Sequence, residues 1–217
     1  MDAQIDHVAG LLSLREAGTL DLYCTAMVTG DLTSGLPLFT VLGHYGCFPV
    51  HEIPLTGAAF TVVGAKGLHF TAVPLSSKAP PYSPHRHDPH PGDNIGLRIE
   101  DAAGRRAFYA PGLGAIDDAV AMELAAADCA LIDGTFWSDD EMATHGISTK
   151  RARDMGHLPL SGPGGMIERL AAFQRPRKVL VHINNTNPIL DEDSPERRTL
   201  DGAGIDVAHD GMRIDLS

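Results

Sequence analysis

Residues 2–7 read Asp2-Ala3-Gln4-Ile5-Asp6-His7, and far along the chain stand Val179-Leu180-Val181-His182-Ile183-Asn184-Asn185-Thr186-Asn187-Pro188. The first stretch has the frame of the two-metal motif His-x-His-x-Asp-His, with its first two histidines replaced. The second is an apolar strand pattern ending in a histidine, followed by polar residues that cannot continue a buried face. A carboxylate and an imidazole at one turn can meet a strand-end imidazole around one divalent metal, since these groups suit Fe(II), Mn(II) or Zn(II). Each stretch also has an ordinary structural explanation. Asp6 can cap a helix with His7 on the surface, and His182 can be a hydrogen-bonded strand-end residue. The run Asn184-Asn185-Thr186-Asn187 has two readings, a capped turn before Pro188 or a set of side chains that orient an imidazole or donate to a ligand.

Working outward, the pattern predicts a helix over 7–17, with Val8, Leu11, Leu12 and Leu14 on one side, Asp6 as its cap and Gly18 as its stop. A short strand is expected over 20–24 and a helix over 31–42, weakened by Gly35 and Pro37. Strand candidates rich in Val, Phe and Thr follow at 51–55, 58–63 and 68–73. Residues 74–94 form one long irregular loop with six prolines and the cluster His85, His87, His90. A long ordered loop of that kind is often functional. A hairpin over 95–100 and 106–110 comes next, then a helix over 117–127, a strand over 129–132 and a helix over 166–173. The chain continues with a strand over 178–183, a helix over 194–203 and a closing hairpin of 205–207 with 212–216. Alternating strands and helices predict α/β layers in a single domain over 1–217.

His182 falls where loops build sites in open sheets. Asp133-Gly134-Thr135 places a carboxylate at another strand end, and His157 follows a turn at Asp154-Met155-Gly156, so both are candidates for the same rim. The spacing His85-x-His87-x-x-His90 is compatible with a metal and equally with a solvated Pro-rich loop.

The composition narrows the class. The chain has 217 residues, 43% of them hydrophobic, with 28 acids against 17 bases and a net charge of −11. That balance argues against binding a nucleic-acid backbone. No stretch approaches the ~20 apolar residues needed to span a bilayer, and the first residues lack the order of a secretory signal. Three widely spaced cysteines encode no Cys-x-x-Cys pair, which fits reduced thiols in a cytoplasmic protein.

Five strings carry a resemblance: DAQIDHVAG (2–10), KAPPYSPHRHDPHPGDNIGL (78–97), FYAPGLGAID (108–117), ALIDGTFW (130–137) and VHINNTNPILDED (181–193). They resemble the pyrroloquinoline quinone (PQQ) biosynthesis protein B family over essentially the whole chain. The resemblance implies the metallo-β-lactamase fold, an αββα sandwich with metals at one edge. Asp2 and Gln4 stand where hydrolases of that fold keep their first two histidines. His90 matches the third histidine position, with His85 or His87 as alternatives. Tyr109-Ala110-Pro111-Gly112 falls where hydrolases carry a bridging aspartate, and His182 matches the last histidine. One metal site built from Asp6, His7 and His182 is therefore implied, with His90 and Asp2 as further candidate ligands and the second site degraded. Such a 2-His-1-carboxylate set suits non-haem Fe(II), with Zn(II) as the alternative. Relatives are longer, so the sandwich is expected to be incomplete at its N-terminus, and residues 1–217 alone are expected to be poorly soluble or molten.

Three functions compete. The first is an iron-dependent oxygenase that hydroxylates a tyrosine-derived, peptide-derived intermediate of PQQ biosynthesis, with His157, Asp133 and Asn184 moving protons or binding substrate. The second is a carrier for PQQ or its precursor, working beside other proteins of the same biosynthesis. The third is a metal-dependent hydrolase, which the replaced histidines disfavour.

Overall fold

A computed structural model describes residues 1–216. The first turn is α1 (Ile5–Val8), continued by a 3₁₀ segment over Ala9–Leu14. The single helix expected over 7–17 does not form. Leu12 and Leu14 are exposed, so no packed apolar face sustains α-helical pitch. The cap position is Gln4, and Asp6 lies inside the first turn.

β1 (Leu22–Cys24) leads into α2 (Ala26–Gly30), capped by Thr25, whose hydroxyl accepts from the Val28 N–H. A π-helical turn over Asp31–Gly35 follows, and α3 (Leu38–Leu42) starts only after Pro37. The helix expected over 31–42 is thus broken where Pro37 lacks its N–H. β2 (Val50–Glu52) pairs in parallel with β1 as a two-stranded sheet. The strand expected over 58–63 shrinks to a bridge between Phe60 and Phe70.

The main sheet has six strands in the order of the chain: β3 (Leu68–Pro74), β4 (Ile95–Asp101), β5 (Arg106–Ala110), β6 (Cys129–Asp133), β7 (Arg177–Val181) and β8 (Ile205–Val207). β3, β4 and β5 are antiparallel, and β5 to β8 run parallel. β8 adds to β7 in parallel, so the closing hairpin expected at 205–216 is absent. Residues 212–216 form no strand.

Parallel neighbours need crossovers, and helices supply them. α4 (Asp118–Ala126) links β5 to β6, with the Asp117 carboxylate accepting from the Val120 N–H. α5 (Glu141–Thr144), α6 (Ala152–Met155) and α7 (Met166–Leu170) lie between β6 and β7. α8 (Pro195–Gly202) links β7 to β8, with Ser194 as its cap and Pro195 opening the helix.

Strand register sorts the two faces. Phe108, Ala110, Ile132, Leu180 and Val207 share one core with Val120 and Leu124 of α4, Met166 and Leu170 of α7, and Leu200 of α8. Gly96 is required there, because a Cβ would sit 2.9 Å from the Phe108 ring. On the other face, Ala72, Ile95 and Leu97 pack with Tyr23, Ile53 and Phe60, which seats the small sheet on the large one. Helix, sheet, small sheet and N-terminal helices therefore stack in αββα order. No helix among the described residues is long and apolar enough to cross a membrane.

Candidate metal centre

The C-terminal ends of β6 and β7 place Asp133 and His182 side by side, and the turn opening α1 brings Asp6 and His7 to the same rim. One donor atom each from Asp6, His7 and His182 lie within 4.8 Å of one another. Nε2 of His182 is 3.5 Å, and Nε2 of His7 3.7 Å, from Asp6 Oδ2.

Both imidazoles are held in one tautomer from behind. The buried Asp2 carboxylate accepts from His7 Nδ1 at 2.7 Å and from the Gln4 N–H at 2.9 Å. Burial pushes the Asp2 carboxyl up, but the His7 hydrogen bond and charge outweigh it, and its value falls. Asp2 thus accepts the proton on His7 Nδ1 and leaves Nε2 with its lone pair toward Asp6. Asp2 stands behind His7 and is not among the clustered donors.

Thr135 does the same for His182. Its single hydroxyl proton points to Asp133 Oδ1, 2.5 Å away, so its oxygen accepts from His182 Nδ1 at 2.7 Å. Nε2 of His182 is again the free nitrogen. His182 is also the one non-glycine among the described residues with positive φ, at 56°. Such strain is characteristic of functional positions and is maintained by the surrounding contacts. Gly134 allows the approach of β6 to β7, since a Cβ there would lie 3.0 Å from Leu180 Cβ.

Asp133 is fully buried and saturated. It accepts from the Leu113 and Thr135 N–H groups at 2.8 and 2.9 Å, from the Thr135 hydroxyl, and from His157 Nδ1 at 2.6 Å. Burial pushes its carboxyl up, but the bonds from His157 and the neighbouring His182 and Thr135 hold it down to about 2. Asp133, His157 and His182 form a second compact donor group. With both oxygens of Asp133 occupied, that group is built to aim imidazoles rather than to hold an ion. His157 stacks on His182, with ring centroids 5.5 Å apart and an interplanar angle of 20°.

The donor chemistry fits a divalent cation. Burial lowers the proton affinity of His182, yet Asp133 and Asp6 outweigh it and raise its value. The negative charge that favours a proton at Nε2 also attracts a metal ion, which binds there by displacing that proton.

Two cavities open on these groups. One of about 240 Å³ is bordered by Asp6, His7, His157, His182, Arg86 and Asn94. Another of about 260 Å³ touches Asp6, Thr135, His157, His182 and Asn184. Asn184 donates its side-chain amide to Thr186 Oγ1, so its carbonyl oxygen is the end left for a ligand. A larger cavity of about 450 Å³ also reaches Asp2 and His7 but is otherwise walled by Leu11, Leu22, Val28 and Phe39, without His157 or His182.

The histidines of the Pro-rich loop go elsewhere. His85 Nε2 lies 2.7 Å from Asp93 Oδ1, and the His90 N–H donates to Asp93 Oδ2. The His90 ring faces Asp88 at 3.4 Å and packs edge-on against His85. His87 is exposed. None of the three joins either donor group. The buried Asp93 carboxylate folds the loop, and its histidines are positioned by it. Sequence reasoning passed over Thr135 as a functional residue. The available signal was a hydroxyl two residues beyond a strand-end carboxylate. Of the polar run 184–187, Asn187 takes the capped-turn reading: its side-chain oxygen accepts from the Ile189 N–H, and its buried amide donates to the Gly134 and Thr135 carbonyls and fixes that turn.

Comparisons with known proteins agree with this architecture. The β-lactamase superfamily domain matches residues 1–183. The chain is 58% identical over its whole length to the coenzyme PQQ synthesis protein B of Methylococcus capsulatus and 62% identical to that of Cupriavidus necator, spanning 72% of each. The crystal structure of Zn(2+)-bound PqqB from Methylobacterium extorquens superposes with a TM-score of 0.84 at 33% identity, covering 99% of this chain and 71% of that one.

Proposed function

The chain belongs to the coenzyme PQQ synthesis protein B family of the β-lactamase superfamily, and on that premise we propose that residues 1–217 act as one domain that hydroxylates a tyrosine-derived intermediate of PQQ biosynthesis with a non-haem iron. The observation that carries the proposal is the pair of tautomer-locked imidazoles, His7 and His182, each presenting Nε2 to the Asp6 carboxylate. His7, His182 and Asp6 would hold the ion, two imidazoles and one carboxylate being the donor set of non-haem Fe(II) oxygenases. The M. extorquens relative binds zinc, which the same three donors also accommodate. An ion held there would supply Lewis-acid and redox chemistry toward dioxygen and a phenolic substrate, with a two-electron reductant from outside the chain reducing the second oxygen atom to water.

The chain's own residues do the rest. His157, with Nδ1 bonded to Asp133, turns Nε2 to the cavity and is placed to take a proton from a substrate hydroxyl. Asp133 stays ionised and stabilises the imidazolium that results. The Asn184 carbonyl offers an acceptor to a second substrate hydroxyl or amine.

The two-metal hydrolase device draws no support from this site. Asp2 is engaged by His7 and Gln4, Gln4 Nε2 donates to the Lys78 carbonyl, and the stretch Tyr109-Ala110-Pro111-Gly112, where the resemblance places a bridging aspartate in hydrolases, carries no carboxylate. Anaerobic purification followed by metal analysis and oxygen-uptake measurements tests the proposal. Iron bound at one per chain, with oxygen consumed only when iron is present, is expected. Tight binding of PQQ with no iron-dependent turnover would replace the oxygenase by a carrier.

A further inference from the structure

We infer that Glu141 is a positioning residue of the rim: through the Thr186 hydroxyl it fixes the Asn184 side chain with its carbonyl oxygen toward the cavity of about 260 Å³. The inference rests on the reading of Asn184 as an acceptor for substrate, and it assigns the group that makes Asn184 an acceptor rather than a donor.

Glu141 opens α5, in the crossover between β6 and β7, and is the buried residue of that helix, only 4% exposed. A glutamate is rarely buried to that degree without a cation beside it. Among the described residues no Lys, Arg or His lies within ion-pair distance of Glu141. Two neutral donors serve it instead. Oε2 accepts from the Trp137 N–H at 2.6 Å, and Oε1 accepts from the Thr186 hydroxyl at 2.5 Å.

Counting protons sets the direction of each bond in this relay. A threonine hydroxyl has one proton and a carboxylate has none to offer, so the Thr186 proton goes to Glu141. Thr186 Oγ1 is left to accept from Asn184, which has to present its amide nitrogen, 2.5 Å away. The other amide hydrogen serves Met142 Sδ at 3.7 Å. Both N–H bonds of Asn184 are then engaged, and Oδ1 remains for the cavity that Asn184 shares with Asp6, His157 and His182. The main chain is anchored separately, since the Asn184 N–H donates to the Thr135 carbonyl at 3.1 Å. The side-chain amide can therefore turn over while the backbone stays in place.

A glutamine at position 141 would pack as well as the glutamate. Its oxygen would stay on the Trp137 N–H, so its amide would face Thr186 Oγ1 and donate to it. The Thr186 proton would then turn to Asn184, whose side chain would have to rotate half a turn to offer its oxygen. N–H groups would face the cavity in place of the carbonyl. What the carboxylate adds over its neutral isostere is the direction of these bonds, not the filling of space.

The side-chain amide resonances of Asn184 in the isotope-labelled, zinc-loaded chain read this orientation, and Asn184→Ala identifies them. In the parent, the amide protons should exchange slowly and show contacts with the Met142 methyl group. In Glu141→Gln those contacts should disappear, and exchange should speed up by about fivefold or more, the factor that one net hydrogen bond supplies. Thr186→Val, which leaves Glu141 its Trp137 partner, should do the same, and Thr186→Ser should restore the parental pattern. Zinc content should match the parent in all three variants, because Asp6, His7 and His182 are untouched. Should Glu141→Gln not fold, Thr186→Val decides alone. Parental exchange and Met142 contacts in either folded variant would overturn the relay, as would a parent chain whose Asn184 amide exchanges freely. Failure of the iron reading would appear in oxygen uptake and leave this amide signature untouched.

Discussion

The Thr135 hydroxyl lies 2.7 Å from Nδ1 of His182, and this bond turns the opposite nitrogen of that ring toward Asp6. Thr135→Val keeps the shape and removes the relay. It leaves Asp133 Oδ1 and His182 Nδ1 short of a partner, so metal affinity should fall about 10–100-fold. Competition with a chelator reads the change, and Thr135→Ser should restore it. An unaltered affinity in the valine variant would show that the backbone alone orients His182.

His182→Ala should eliminate stoichiometric metal and leave the fold, because the side chain ends a strand whose packing residues are Val179 and Leu180. At a φ of 56°, His182→Gly should be more stable than the alanine variant by about 1–2 kcal/mol, since glycine carries no left-handed penalty. Denaturant melts of the two metal-free variants check this difference.

Asp6→Asn should weaken the same ion, because a neutral amide is a poorer ligand than a carboxylate. Asp6 is exposed, so stability in the absence of metal should stay within about 0.5 kcal/mol of the parent. A metal titration showing parental affinity would remove Asp6 from the ligand set.

His157→Gln should separate binding from chemistry. The three metal donors remain, so metal content should hold, whereas iron-dependent oxygen uptake should drop about 100-fold or more with loss of the base. Loss of metal in this variant would instead assign His157 to the coordination sphere.

Asp31 gives a pH dependence remote from the metal. Its carboxylate is fully buried, neither oxygen has a hydrogen-bond partner, and the nearest cation-capable group is His85 Nδ1 at 3.8 Å. Burial, aided by the neighbouring Asp93 carboxylate, raises its value from the usual one for Asp against the opposing pull of Ser83 and His85. The folded state then holds the proton more tightly than the unfolded one, so this group's contribution is lost as pH rises from the unfolded value through the raised one. Asp31→Asn should therefore raise Tm at neutral pH, and the gain should vanish near pH 4. A constant difference from pH 4 to 8 would show that Asp31 does not titrate abnormally.

Much of the main sheet was legible because its strands announce themselves by composition. Residues 106–110 were expected as a strand and form one over Arg106–Ala110, and 68–73 and 95–100 form strands one residue longer. The N-terminal third was harder. Leu12 and Leu14 suggested a helical stripe, but a stripe needs a surface to cover, and these side chains face outward. The convergence of Asp6, His7 and His182 could be anticipated from a motif frame and a strand-end histidine. Thr135 could not, since a hydroxyl between a carboxylate and an imidazole acquires its role only when two strands lie side by side. The loop histidines misdirected in the opposite sense. Their spacing suits a metal, but the buried Asp93 carboxylate lies inside the loop and claims His85 before any distant ion can.

Asp133 bonds His157 directly and His182 through Thr135, so the residue proposed to move a proton and the residue proposed to hold the metal answer to one side chain. Genetically, that makes the position pleiotropic. Under the proposed roles, substitution at Asp133 disturbs the hydrogen bond of His157 and that of Thr135 to His182 together, so acid–base chemistry and metal affinity should change together. Independent variation of the two properties has to come from Thr135, which touches His182 more closely than His157, or from Phe136, whose ring meets the edge of His157 and not of His182.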